Sequence, residues 1–101
     1  MNIGQAIRMA RSARGVSLAE LARRTGLSVS YLSMLEKGGR KDPTLTTIER
    51  IALALRVPIG VFLFLAADRK DLSGIDADLT AKLASAALEF LSEPDAQPSL
   101  L

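Results

Sequence analysis

The segment Ser17 to Gly38 constrains this chain more than any other. It reads as two short helices joined by a tight turn at Gly26. Glycine there can take a positive φ without steric cost. On the second helix, Leu32 and Leu35 share one side. Ser30, Ser33, Met34 and Lys37 recur at i, i+3, i+4 and i+7 and share another. A helix with that division locks one side onto its own protein and offers small, polar and basic groups to a groove.

The flanking sequence predicts more helices. Ile3, Ala6, Ile7 and Ala10 carry helical spacing over Ile3–Ala13, and Gly15 stands where a left-handed cap belongs. Ser17-x-x-Glu20 reads as a capping box, in which hydroxyl and carboxylate each satisfy an orphaned backbone N–H. Ser28 is the expected N-cap of the third helix, which closes at Gly38-Gly39. Thr44 caps a fourth helix with an apolar stripe of Leu45, Ile48, Ile51, Ala52 and Leu55. Pro58 suits the first turn of a fifth, strongly apolar helix. A charged connector, Asp68 to Gly74, leads to a sixth helix over Asp76–Ser92. Asp76 or Asp78 complements its dipole and Pro94 stops it. Asp95 to Leu101 reads as a loose tail.

Charge is divided along the chain. Residues 1–56 hold ten cations against four anions, a net +6, and residues 57–101 hold three against seven, a net −4. A basic front and an acidic back suit a polyanion-facing module joined to a part that avoids DNA. The chain has 101 residues and neither Cys nor His. That excludes disulfides, zinc-finger sites, thiol nucleophiles and imidazole bases. No cofactor or metal is expected. Arg8 and Arg11 interrupt any signal-peptide run. The longest apolar stretch, Val57 to Ala67, is shorter than the roughly 20 residues of a spanning helix. A cytoplasmic, nucleoid-associated protein is the expectation.

The ordered positions Ile3-Gly4, Ile7-Arg8, Arg11, Gly15, Leu21-Ala22, Gly26-Leu27-Ser28, Leu32-Ser33, Leu35-Glu36 and Gly38 resemble the phage-repressor (Cro-like, xenobiotic-response-element) helix-turn-helix family. The likeness continues through Pro43-Thr44, Ile48, Ile51-Ala52, Ala54-Leu55, Val57 and Leu63, covering about residues 3–65. It implies an all-α fold: a five-helix repressor-like domain over residues 1–67, with an additional C-terminal helix and tail over 68–101. It also implies binding of double-stranded operator DNA, with residues 28–37 in the major groove. Its base contacts map onto Val29, Ser30 and Met34. Ser17, Ser28, Tyr31, Ser33, Lys37, Arg40 and Lys41 are the expected phosphate contacts. Arg11 and Glu36 are the expected structural ion pair. Two positions depart from the family pattern. Leu18 replaces a glutamine that touches DNA in many relatives, and Arg56 stands where glycine often ends the fourth helix.

Serine discriminates base edges weakly, and Met34 and Val29 offer only apolar contact, which suits thymine methyls. Shape and phosphate contacts are therefore expected to supply much of the selectivity. Arg40 and Lys41 follow two glycines, and cations on flexible backbone suit phosphate. Arg23 and Arg24 fit phosphate contacts and plain solvent charges equally well. Tyr31 can pack its ring on the second helix and reach phosphate with its hydroxyl.

Leu79, Leu83, Ala86, Ala87, Phe90 and Leu91 give the sixth helix a broad apolar side. It folds back on its own domain or meets a second copy. A homodimer on a palindromic operator is expected, through Phe62, Leu79, Leu83, Leu88, Phe90 and Leu91. Two function classes follow. One is a transcription regulator, by default a repressor. The other is an antitoxin-type module whose C-terminal segment, Ser92–Leu101 included, binds a small protein partner. An enzyme is disfavoured: Asp76 with Asp78, or Asp68 with Asp71, lacks a partner base and a phosphate loop.

Overall fold

Side chains that accept a backbone N–H open most of the helices, and glycines in the left-handed region close the first three. The computed structural model describes residues 1–38 and 43–93, which form six helices and no strand. In chain order these are α1 Ile3–Arg14, α2 Leu18–Thr25, α3 Val29–Lys37, α4 Leu45–Ala54, α5 Ile59–Ala66 and α6 Ala77–Leu91. Asn2, Ser17, Ser28, Thr44 and Asp76 are the side-chain caps. Pro58 precedes α5 as its N-cap and makes no side-chain cap bond. It lies one position before the first turn expected for it.

The capping box of α2 is only half formed. Ser17 Oγ accepts the Glu20 N–H at 3.0 Å. The Glu20 carboxylate turns instead to Arg23 and Arg24, at 2.5 and 2.9 Å. Two guanidiniums within one turn outcompete a neutral N–H for an anion.

Helix α4 ends without glycine. The Arg56 N–H donates to Leu53 and the Val57 N–H to Ala52, both at 3.0 Å, with Arg56 at φ 58°. A left-handed non-glycine residue costs roughly 1–2 kcal/mol. The two bonds that close the turn offset that cost. Arg14 adds a third, donating from Nη2 to the Arg56 carbonyl at 3.1 Å.

The core gathers Ile7, Leu21, Leu32, Ile51, Leu55 and Phe62, all fully buried. Helix α1 packs on α3 and α5, and α2 packs on α3 and α4. Helix α6 lies against α1 and α5, and of its residues only Ala87 and Leu91 are buried. Arg14 fastens its far end. Nη1 donates to the Glu93 carbonyl at 2.6 Å, and the guanidinium stands 5.3 Å from the centre of the Phe90 ring.

Phe62 and Leu91 were expected at a contact between copies. Both are buried inside this chain instead, Phe62 completely. An apolar side chain already enclosed by its own core has no surface left to present. Leu79, Leu83 and Leu88 remain exposed, and Phe90 is half-buried.

Candidate nucleic-acid interface

The turn between α2 and α3 is built by two residues. Thr25 is buried; its hydroxyl donates to the Leu21 carbonyl at 2.8 Å and accepts the Leu27 N–H at 3.2 Å. Gly26 follows at φ 78°, where a Cβ would be strained. Ser28 Oγ then accepts the Tyr31 N–H at 3.0 Å and starts α3.

Helix α3 divides as its spacing predicts. Leu32 and Leu35 are buried. Val29 is 45% exposed and Met34 37%. Ser30 and Lys37 are exposed, while Ser33 and Tyr31 are half-buried. Val29, Ser30, Met34 and Lys37 therefore reach solvent together. Tyr31 packs its ring against the core. Ser17 and Ser28 are exposed and already serve as caps. Arg40 and Lys41 lie outside the described residues.

The C-terminal end of α3 is seated on α1. Arg11 meets the Glu36 carboxylate twice, Nε to Oε2 at 2.8 Å and Nη2 to Oε1 at 3.2 Å, and its Nη1 donates to the Val16 carbonyl at 3.0 Å. The expected pairing of Arg11 with Glu36 is present. Arg8 Nη1 donates to the Glu36 carbonyl at 2.8 Å. At Gly4, an added Cβ would collide with the Leu35 carbonyl oxygen and stand 2.8 Å from that of Glu36.

The two arginines of α2 have different surroundings. Arg24 donates to the Ala54 carbonyl at 2.8 Å as well as to Glu20, so it closes the end of α4. Arg23 is exposed and pairs with Glu20. Together they hold the Glu20 carboxyl down at about 2, Arg23 contributing most.

Gly4, Arg8 and Arg14 were given no structural task by sequence reasoning. Each acts on backbone carbonyls far along the chain, and side-chain spacing carries no sign of such partners. Among the described residues no cluster of acidic, His or Cys side chains could hold a metal, and no helix is long and apolar enough to cross a membrane.

A capped helix, a left-handed glycine and a second helix with an outward polar side form a helix-turn-helix DNA-binding unit. The family described as Helix-turn-helix matches residues 7–62. The HTH-type transcriptional regulator SinR of Bacillus licheniformis is 32% identical over 80 residues, 79% of this chain and 68% of that protein. SinR of Bacillus subtilis (strain 168) is 36% identical over 61 residues, 60% of this chain and 55% of that protein. An HTH-type regulator of Mycobacterium bovis, Mb0023, is 45% identical over 67 residues, 64% of this chain but only 26% of the relative. A solved SinR protein/SinI protein complex contains a chain with a TM-score of 0.57 and 32% identity, covering 85% of this chain and 78% of that one. The chain belongs to the helix-turn-helix family of DNA-binding transcriptional regulators.

Proposed function

We propose that this chain is a sequence-specific repressor that binds a palindromic operator as a homodimer, with α3 in the major groove. The observation that carries this reading is the outward side of α3. Val29, Ser30 and Met34 stand exposed opposite the buried Leu32 and Leu35. In this reading those three residues meet base edges. Ser17, Ser28, Tyr31, Ser33 and Lys37, with Arg40 and Lys41, meet phosphate. Residues 1–67 form the DNA-binding part, and residues 68–101 supply the contact between copies. The exposed Leu79, Leu83 and Leu88, with half-buried Phe90, are the surface for that contact. One such helix makes too small an interface for tight specific binding, and two copies on adjacent half-sites remedy this. The protein acts in the cytoplasm, at the nucleoid.

Selection from random duplexes at a stated salt concentration tests the reading. It predicts an inverted repeat with half-site centres about one helical turn, roughly 34 Å, apart. Enrichment of unrelated sequences, or of one isolated half-site, would refute it.

A second reading concerns a protein partner. An open apolar groove of about 600 Å³ runs between α5 and α6, with Val61, Phe64, Leu83 and Phe90 among its lining. The similar solved chain comes from a complex of two proteins, SinR and SinI. A small protein that occupied this groove would compete with the second copy and control DNA binding through dimerisation.

A further inference from the structure

Gly4, Arg8 and Arg11 lie at i, i+4 and i+7 of α1 and so share one side of that helix. All three face the last turn of α3. Gly4 leaves room for the Leu35 and Glu36 carbonyls, Arg8 donates to the Glu36 carbonyl, and Arg11 holds the Glu36 carboxylate. Gly4 and Arg8 act on the backbone of α3 itself. Their targets, Leu35 and Glu36, directly follow Met34 and precede Lys37 on the chain.

We propose that Arg8 and Gly4 are positioning residues for DNA recognition: they fix how the recognition helix is presented rather than touch DNA. Terminal helix carbonyls have no intrahelical N–H partner and carry the negative end of the dipole. A guanidinium 2.8 Å from the Glu36 carbonyl satisfies one of them and fixes the roll of that turn. A methyl at position 4 would meet two backbone oxygens, which cannot swing aside as a side chain does. The last turn of α3 would have to move, carrying Met34 and Lys37 with it. Burial of Leu32 and Leu35 sets the depth of α3, and the side of α1 sets its tilt.

This inference rests on the reading that α3 enters the groove. The test is binding of the full chain to its selected duplex over a salt series, with a random duplex alongside. Arg8→Ala removes an exposed side chain and one bond to α3, and is expected to fold with a modestly lowered thermal midpoint. Specific binding should fall roughly tenfold because the last turn of α3 is no longer held in place, with the salt slope and random-duplex binding unchanged. Arg8→Lys keeps a cationic donor and should recover part of the loss. Gly4→Ala should reproduce the loss of specificity if it folds, but Arg8→Ala decides the matter alone. A salt slope lower by about one would make Arg8 a phosphate contact and overturn the proposal. Unchanged specific affinity would overturn it as well. Ser30→Ala, measured in parallel, separates the two failures. If that variant also leaves binding and base preference unmoved, the groove reading itself is lost; if Ser30→Ala moves them, only the positioning role is.

Discussion

Arg11 grips Glu36 with two parallel bonds, at 2.8 and 3.2 Å, across 25 residues of sequence. The Glu36 side chain is 9% exposed and that of Arg11 22%, so most of the pair is out of water. Removing either partner leaves a nearly buried charge uncompensated. Arg11→Ala is expected to destabilise the fold by about 3 kcal/mol, the lower end for a broken buried pair. Urea unfolding of the variant checks this, and a loss below about 0.5 kcal/mol would place the pair among surface bridges of little worth.

Arg14 joins three helices. It donates to the Leu55, Arg56 and Glu93 carbonyls and stands over Phe90. Arg14→Ala is expected to loosen α6, which has few other anchors. Amide exchange should rise through residues 86–91, while α2 and α3 keep their protection. Equal loss of protection in α3 would show that α6 and the DNA-binding unit unfold as one.

Two carboxyls at the surface contribute to the acid limb of stability. Glu20 is held at about 2 against an ordinary 4.5, first by Arg23 and then by Arg24. Asp68 is held at about 2 against 3.8, chiefly by the terminal ammonium of Met1 and then by the Asp71 backbone N–H. Both are lower in the folded than in the unfolded chain. Their stabilisation is therefore complete above the unfolded values and is lost as pH falls from about 5 toward 2. Denaturant midpoints should drop across that window, and Glu20→Gln should flatten part of the drop. An unchanged pH profile in Glu20→Gln would show that Glu20 does not report folding.

The exposed leucines of α6 test the contact between copies. Leu83→Glu with Leu79→Glu places two charges on the exposed apolar side of α6, at residues 40% and 48% exposed. The double variant is expected to keep its helicity and to sediment as a monomer, with operator binding sharply weakened. A variant that stayed dimeric would move the interface elsewhere.

Most of the helix plan was readable from residues. Ser17, Ser28 and Thr44 cap as their type and position foretold, and the Leu32/Leu35 side of α3 is buried as its spacing implied. These are local properties, set within one or two turns. Arg24 on the Ala54 carbonyl and Arg14 on Glu93 were not readable, because guanidiniums choose among distant carbonyls only once helices have packed. Phe62 and Leu91 misled for a related reason. An apolar stripe declares that it will be covered, not whether its own chain or another does so. Glu20 departed from its capping role because Arg23 and Arg24 lie one turn away and bind it more strongly.

The outward side of α3 is the centre of the account. The direct measurement is a base-preference profile from random-duplex selection, run on the full chain and on Ser30→Ala and Met34→Ala. The account predicts that each variant changes preference at one or two positions of each half-site and leaves the rest intact. Profiles that superimpose on the parent would contradict it, because another surface would then be reading the sequence.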